Sequence, residues 1–468
     1  MEPKYPSKRY LHFDNITAYN KKVEKYVIDF EKNPKHSFLP LLYNELIYEK
    51  YNNSAEENKI RNVKIVPVKE KIRPIMYASH VDNFIYKHYG IEINDLYNSS
   101  IKNSAVDDSV IAYRKSANGK SNIHHSAEII NYIKSHDNCL IYIGDYSDFF
   151  GTINHNYLKD MINKLYKDRM PLHQFKIFKS LTKYSYINKE DVNSIVGEDK
   201  ILRKKEKRSY FNSFKEFRDF KKKEKLYEGK KEKVLKTNFK DHGIPQGTAI
   251  SAIYSNIYMT EIDTKITEIV SQYKGLYRRY SDDFIVILPN IDKSNLEYVK
   301  KSISNMINEA KLILHPNKTV TIQYLNGKLI DNDDNKIVLD YLGFVFDGET
   351  VKMREKSIYK YYRSAYKLIK KGEVVSIRKG FIGKKARLTY KRKLYQKYHA
   401  FGERTDRKYK YKKREFGTFI TYAYRSQQVF DEISPYTLNL MKKQIDNHQK
   451  YIKRKIIKTQ YKLRNFNP

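Results

Sequence analysis

The sequence predicts an α+β fold: short apolar strands flanked by helices, followed by a long basic helical tail. Three observations carry this reading. Apolar runs with strand character alternate with stretches of helical spacing in one non-repeating order. Acidic residues, Asp145 and the pair Asp282–Asp283, sit at the ends of two of those apolar runs. From residue 357 onward the helical pattern continues with a heavy excess of Lys and Arg.

Taken in order, residues 1–60 read as mostly helical, most clearly "NITAYNKKVEKYVIDFEKN". Residues 63–77, "VKIVPVKEKIRPIMY", read as two short strands around a charged turn at 69–71. A helical stretch follows near 81–91, then a polar, loop-like segment at 113–124 and a helix at 125–134. The run "CLIYIGDYSDFF" (139–150) is a buried strand that leaves the sheet in a turn. Residues 156–185 are again helical, and 186–240 form a charged insert of undefined structure. The segment 243–260 is a turn entering a helix of small and apolar residues. "YRRYSDDFIVIL" (277–288) is a hairpin, 296–312 a helix, and "DYLGFVFDGETVKM" (340–353) another hairpin. No repeat of 20–50 residues is present.

Composition narrows the function classes. The 468 residues include one cysteine, Cys139, which excludes an internal disulfide and a cysteine-based zinc site. No window approaches the roughly 20 apolar residues of a membrane span, and residues 1–10 have no signal-peptide character; a soluble cytoplasmic protein is expected. The 91 Lys and Arg against 54 Asp and Glu leave a formal charge of +37. The excess is clustered: 17 basic against 7 acidic residues in 199–240, and 14 against 2 in 384–414. Such patches point to nucleic acid. The 43 tyrosines could stack on bases, but AT-rich codon usage is the better account of most of them.

The chemistry centres on Asp145, Asp282 and Asp283. Placing like charges at the edge of a buried sheet is unfavourable without a compensating cation. Hard divalent ions prefer carboxylate oxygen, and two Mg²⁺ ions held this way serve in-line phosphoryl transfer. A lone Asp-Asp pair would more often be an acidic turn; here the apolar arms and the neighbouring motifs argue otherwise. In "GIPQGTAISAIYSNIYM" (243–259), Gly243 and Gly247 allow close approach of the backbone to a ligand. Gln246 can hydrogen-bond a nucleotide, and Ser251 and Asn256 are expected to face the template or the incoming nucleotide.

These blocks together resemble the palm of reverse transcriptases. "DYSDFFGTI" resembles the block carrying the first metal-binding aspartate, Asp145, with Asp148 near the triphosphate. "GIPQG", with Gly243 and Pro245, resembles the block against the nascent base pair, and "YSDD" (280–283) the second metal block. "LHPNKT" (314–319) brings Lys318 as a proton donor to pyrophosphate or as a phosphate contact. "YLGF" (341–344), with Leu342 and Gly343, resembles the hairpin that grips the primer. "VPVKEKIRPI" resembles the fingers hairpin, with Arg73 and Lys69 or Lys71 on phosphates. Phe150 falls at the family's steric-gate position, where a ring excludes a 2′-hydroxyl. The resemblance covers roughly residues 61–360. It implies a right-hand polymerase: an N-terminal helical extension (1–60), fingers and palm (61–355, with the 186–240 insert), and a basic helical thumb or RNA-binding region (356–468). It further implies two Mg²⁺ ions, dNTP substrates, an RNA template and a DNA product.

Within the family, several strings are similar to the bacterial defence-associated group, also termed unknown-group or abortive-infection-like. They are "AYRKSANGKSNIHHSAEII" (112–130), "GIPQGTAISA", "RRYSDDF" and "FGTFITYAYRS" (416–426). That resemblance implies antiphage defence, in several members with a structured non-coding RNA, in some as homo-oligomers, and in some with priming on the protein itself; Tyr409 and Tyr411 are among many tyrosines available. The alternatives are a retron or group II intron-type enzyme, an RNA polymerase, which Phe150 disfavours, and a non-enzymatic RNA-binding protein on the same scaffold. Retron enzymes usually carry alanine where this chain has Ser281, and the tail lacks the acidic set of an RNase H.

Overall fold

The computed structural model describes residues 5–51, 59–60, 63–64, 68–114, 119–227, 230–398 and 418–466. Its centre is a five-stranded sheet built from β3 (Asn138–Asp145), β6 (Leu276–Tyr280), β7 (Asp283–Pro289), β8 (Val320–Leu325) and β9 (Lys328–Ile330). The strand order is β6-β7-β3-β8-β9, with every pair antiparallel. In β7, Phe284 to Leu288 are all buried. Alternate side chains of a strand face opposite sides, so both faces must be covered, and they are. Phe284, Val286 and Leu288 enter one apolar cluster with helices α2 (His80–Ile101), α7 (Ser251–Tyr258) and α8 (Thr260–Gln272). Ile285 and Ile287 enter a second with α3 (Asn122–Lys134) and α12 (Phe419–Ile433). Each such side chain contributes roughly 1.5–3 kcal/mol by leaving water. Gly144 lies opposite Phe284; a Cβ there would collide with the Phe284 ring.

A second sheet runs in the order β2-β1-β4-β5, from β1 (Leu41–Tyr51), β2 (Val68–Tyr77), β4 (Ser185–Asn188) and β5 (Leu235–Thr237). This corrects two expectations. Residues 41–51 are a strand, not helix, and 68–77 form one long strand with no turn at 69–71. The two pair antiparallel from Leu42↔Tyr77 to Tyr51↔Val68. The apolar positions of "LLYNELIYEKY" fit either period over so short a run, and the partner strand decides. Pro74 is tolerated because β2 is an edge strand. Within the first 60 residues the described helix is α1 (Lys21–Lys32), capped by Asn20, whose side chain accepts from the Val23 N–H.

The charged insert is folded. Short helices Lys189–Val196 and Asp199–Lys204, then α6 (Phe214–Lys221), enclose Val192, Leu202, Phe217 and Phe220 with Leu11 and Phe13 of the N-terminal segment. Helices α4 (His155–Leu165), α5 (Leu172–Thr182) and α9 (Lys293–Glu309) complete the first cluster.

Strands β10 (Leu339–Tyr341), β11 (Phe344–Phe346), β12 (Thr350–Met353) and β13 (Leu438–Asn439) form a third sheet. The C-terminal region is not one helical unit. Helices α10 (Glu355–Arg378), α11 (Lys391–Tyr398) and α13 (His448–Arg464) share a small core around Ile369, Leu394 and Ile456. Helix α12 instead joins the core beneath the central sheet, where Phe430 meets Phe344 with ring centroids 4.8 Å apart. Tyr409, Tyr411 and much of the 384–414 patch lie outside the described residues. Among the described residues no helix is long and apolar enough to cross a membrane.

Candidate active site

The β3–β7 register places Asp283 directly opposite Asp145. Asp282 occupies the turn from β6 to β7, where Ser281 takes a left-handed φ of 61°, and its carbonyl accepts the Tyr146 N–H at 3.0 Å. Asp145 is itself held by its carbonyl, which accepts from the His315 N–H at 2.8 Å. That contact delivers the short 3₁₀ turn Pro316–Lys318, and the Lys318 Nζ meets Asp145 Oδ1 at 2.7 Å.

Asp283 is held above the usual carboxylate range, first by burial, then by its hydrogen bond with Asp145 and the charges of Asp282 and Asp145; Lys318 opposes the shift. Asp283 is thus a largely buried carboxylate set against two others, an arrangement that a bound cation would stabilise. Among the described residues no three His, Cys, Asp or Glu side chains are placed so that together they could hold a metal ion. The oxygen-only donors and their mutual repulsion nevertheless fit hard divalent cations, with Lys318 holding part of the countercharge.

Behind the turn lies a network that the sequence reading did not single out. Arg279 and Asp263 are both completely buried, and Arg279 Nη2 meets Asp263 Oδ2 at 2.7 Å. Arg279 Nη1 donates to the Ser281 carbonyl at 3.0 Å and to Asn256 Oδ1 at 3.2 Å. Tyr277 donates to Asp263 Oδ1 at 2.7 Å. The guanidinium thus holds the backbone of the acidic turn from inside. The signal was the alternation of β6, in which Tyr277 and Arg279 are the inward residues.

This network corrects the expectation for Asn256, which is fully buried and donates to the Ala112 carbonyl at 2.9 Å. Ser251 is likewise buried, donates to the Pro245 carbonyl at 2.7 Å and pairs with the Thr248 hydroxyl at 2.6 Å. Neither side chain reaches a surface where a template or nucleotide could touch it. Each satisfies polar groups that burial would otherwise leave orphaned. Gly243 and Pro245 are buried too and shape the loop rather than face a strand of nucleic acid.

The loop joins two elements. Gly243 N–H donates to the Ile153 carbonyl at 2.8 Å and Ile244 N–H to the Phe150 carbonyl at 2.9 Å. On the other side the Gln246 carbonyl accepts from Met76 N–H of β2 at 2.8 Å. Gly247, at φ 118°, has no room for a Cβ, which would stand 2.8 Å from the Met76 carbonyl. Gln246 remains half-buried. Phe149 is the core ring of its pair, and Phe150 is only partly buried. Asp148 is exposed with φ 43°, and its carboxylate folds over Gly151, where a Cβ would overlap it. Arg73 is exposed on β2, as is Lys71; nothing is described for the side chain of Lys69.

Leu342 and Gly343 form the β10–β11 turn with φ 48° and 96°. Asn122 Nδ2 donates to the Leu342 carbonyl at 3.2 Å and to the Tyr422 hydroxyl at 3.1 Å, tying this turn to α3 and α12. The neighbouring Tyr341 hydroxyl is held above its ordinary value by burial and, next, by the charge of Asp283.

The family described as Reverse transcriptase (RNA-dependent DNA polymerase) matches residues 70–346. No curated protein matches the chain. Among solved structures, apo telomerase from Candida tropicalis truncated from its C-terminal domain aligns at 14% identity and a TM-score of 0.42, over 71% of this chain and 60% of that one. Telomerase from Candida albicans in complex with the TWJ fragment of telomeric RNA aligns at 12% identity and a TM-score of 0.39, over 96% of this chain and 71% of that one.

Proposed function

The chain belongs to the reverse transcriptase family, whose match spans residues 70–346, and from that premise we propose that it is an RNA-directed DNA polymerase. The observation that carries the proposal is the register that sets Asp283 against Asp145 beside Asp282 and Lys318. The reaction joins a primer 3′-oxygen to the α-phosphorus of a dNTP. The bond to the bridging oxygen breaks, the hydroxyl loses its proton and pyrophosphate leaves.

Asp145, Asp282 and Asp283 are the residues to hold two Mg²⁺ ions. When bound, these supply charge neutralisation and activation of the 3′-hydroxyl. Lys318 donates a proton to the departing pyrophosphate. Arg73 contacts the triphosphate from the edge of the fingers, and Asp148 lies beside it. Gln246 and the backbone around Gly247 bound the nascent pair. Phe150 walls off the 2′ position, and the Leu342–Gly343 turn steadies the primer end. Ser251, Asn256 and Arg279 act one step back, fixing the loop and the acidic turn.

The finer reading follows the motif strings shared with the defence-associated group. The enzyme acts in the bacterial cytoplasm, copies a dedicated structured non-coding RNA and serves antiphage defence. Ser281, where retron enzymes usually carry alanine, supports this reading over a retron type, and a retron or group II intron-type enzyme is the alternative.

The test is primer extension on an RNA template with the full chain, together with sequencing of RNA and DNA that copurify when its flanking genomic DNA is present. Asp145→Asn and Asp283→Asn are expected to abolish extension, and Lys318→Ala to slow single-turnover incorporation. Extension that survives Asp283→Asn would refute the assignment of the site. A wild-type enzyme that copurifies with no defined RNA would refute the dedicated-template reading.

A further inference from the structure

Residues 112–114 open the string "AYRKSANGKSNIHHSAEII", and none of the polymerisation chemistry assigned above falls on them. The segment that carries them is built into the central sheet. Arg279 N–H donates to the Ser109 carbonyl at 2.7 Å, and Ile111 N–H donates back to the Arg279 carbonyl at 3.0 Å. Val110 thus pairs with Arg279 in a parallel bridge, and the segment lies along β6, an edge strand of that sheet.

Its far end is pinned as well. Arg114 Nε donates to Asn98 Oδ1 of α2 at 2.8 Å and Nη1 to the Asp107 carbonyl at 2.5 Å, while Nη2 meets the Asp107 carboxylate. Asn256 holds the Ala112 carbonyl. Tyr113 stands between these two anchored residues.

Tyr113 has a left-handed φ of 60°, which a bulky L residue seldom adopts. Core packing does not demand it. The side chain is 50% exposed and lies outside the four apolar clusters of the described residues. This backbone instead presents the phenol to the acidic turn, where the Tyr113 hydroxyl oxygen accepts from Ser281 Oγ at 3.1 Å. Ser281 is buried and is itself left-handed, at φ 61°. Two strained residues from distant parts of the chain therefore meet side chain to side chain, one residue before Asp282. Strain of this kind persists only where surrounding contacts over-determine it, and it concentrates at functional sites.

The Ser281 carbonyl is already held by Arg279. One anchor leaves a residue free to turn about that bond. A second anchor on its side chain fixes its orientation and, through the following peptides, that of Asp282 and Asp283. We propose that Tyr113 is a positioning residue for nucleotidyl transfer: its phenol oxygen, carried on the segment added to β6, locks Ser281 and so aims the two carboxylates of the turn. This role rests on the polymerase reading of the site. It acts on the chemical step, which needs the carboxylates in place, and leaves nucleotide binding largely intact.

The test combines single-turnover primer extension with hydrogen exchange of the full chain, for wild type, Tyr113→Phe, Ser281→Ala and the double variant. Tyr113→Phe removes one oxygen from a half-exposed ring, so Tm is expected to change little. The incorporation rate at saturating dNTP should fall by about 3–10-fold, while the KM for dNTP moves by less than about twofold. Ser281→Ala should do the same, and the double variant should be no slower than the slower single one, because both changes remove one bond. In peptides spanning residues 280–283, amide exchange should be about 3–10-fold faster in Tyr113→Phe. Unchanged rate and exchange in Tyr113→Phe, rate losses that multiply in the double variant, or a rate loss that only tracks a fall in Tm would overturn the proposal. A wild-type chain that extends no primer would instead refute the polymerase reading, and with it this role in transfer; exchange then decides whether Tyr113 holds the turn at all.

Discussion

Phe150 illustrates how much can rest on one side chain. Phe149 fills the core, while Phe150 keeps part of its ring at the surface and its carbonyl bonded to the 243–247 loop. Phe150→Ala is expected to reduce discrimination against ribonucleotides by roughly 10–200-fold, with little change in dNTP incorporation; a ratio of kcat/KM values for dNTP and rNTP measures it. Arg279 makes a different prediction. Arg279→Met strands Asp263 as an unpaired buried charge, which should destabilise the protein by about 3–5 kcal/mol. Arg279→Met with Asp263→Leu should recover much of that loss in Tm while extension stays slow, because the Ser281 carbonyl keeps no donor. The three aspartates were legible in the sequence because carboxylates at the ends of apolar strands demand an explanation. Ser251 and Asn256 were not: small polar side chains look the same in a sequence whether they meet a ligand or satisfy an internal carbonyl, and only burial separates the two.

Among the elements, the central strands were legible because a strand covered on both faces writes an unbroken apolar run, as "FIVIL" does. Strand β1 was not, because its apolar spacing suits either period and its partner lies beyond a segment of some sixteen residues, 52–67. The insert was opaque because its few buried residues are separated by lysines and find partners in Leu11 and Phe13, far away in sequence. Helix α12 shows the same long-range dependence. Phe430 is fully buried against Phe344, and Phe430→Ala is expected to cost about 3–5 kcal/mol, read as a fall in denaturation midpoint. Wild-type stability in that variant would mean that α12 is not part of the core beneath the sheet.

For the whole molecule, a formal charge of +37 sets how it meets RNA. Affinity for an RNA template should fall by about 10³-fold or more between about 50 and about 200 mM salt if six or more phosphates are contacted; a shallow slope in a filter-binding titration would count against the basic surfaces as the docking face. The charge was plain in the sequence, but which helices carry it towards RNA was not, since α12 leaves the tail to join the centre. That crossing bears on how the protein is made. A ribosome finishes the residues of the acidic turn and the Lys318 turn before it reaches Phe430, so the nascent chain carries the candidate site on a sheet with one face covered by α3 but not yet by α12. Domains generally fold as units during synthesis, but this sheet must wait for α12, which is made after α10 and α11. A ribosome stalled after residue 378 would therefore display a sticky, unfinished enzyme, and early termination would yield material for chaperones rather than a smaller polymerase.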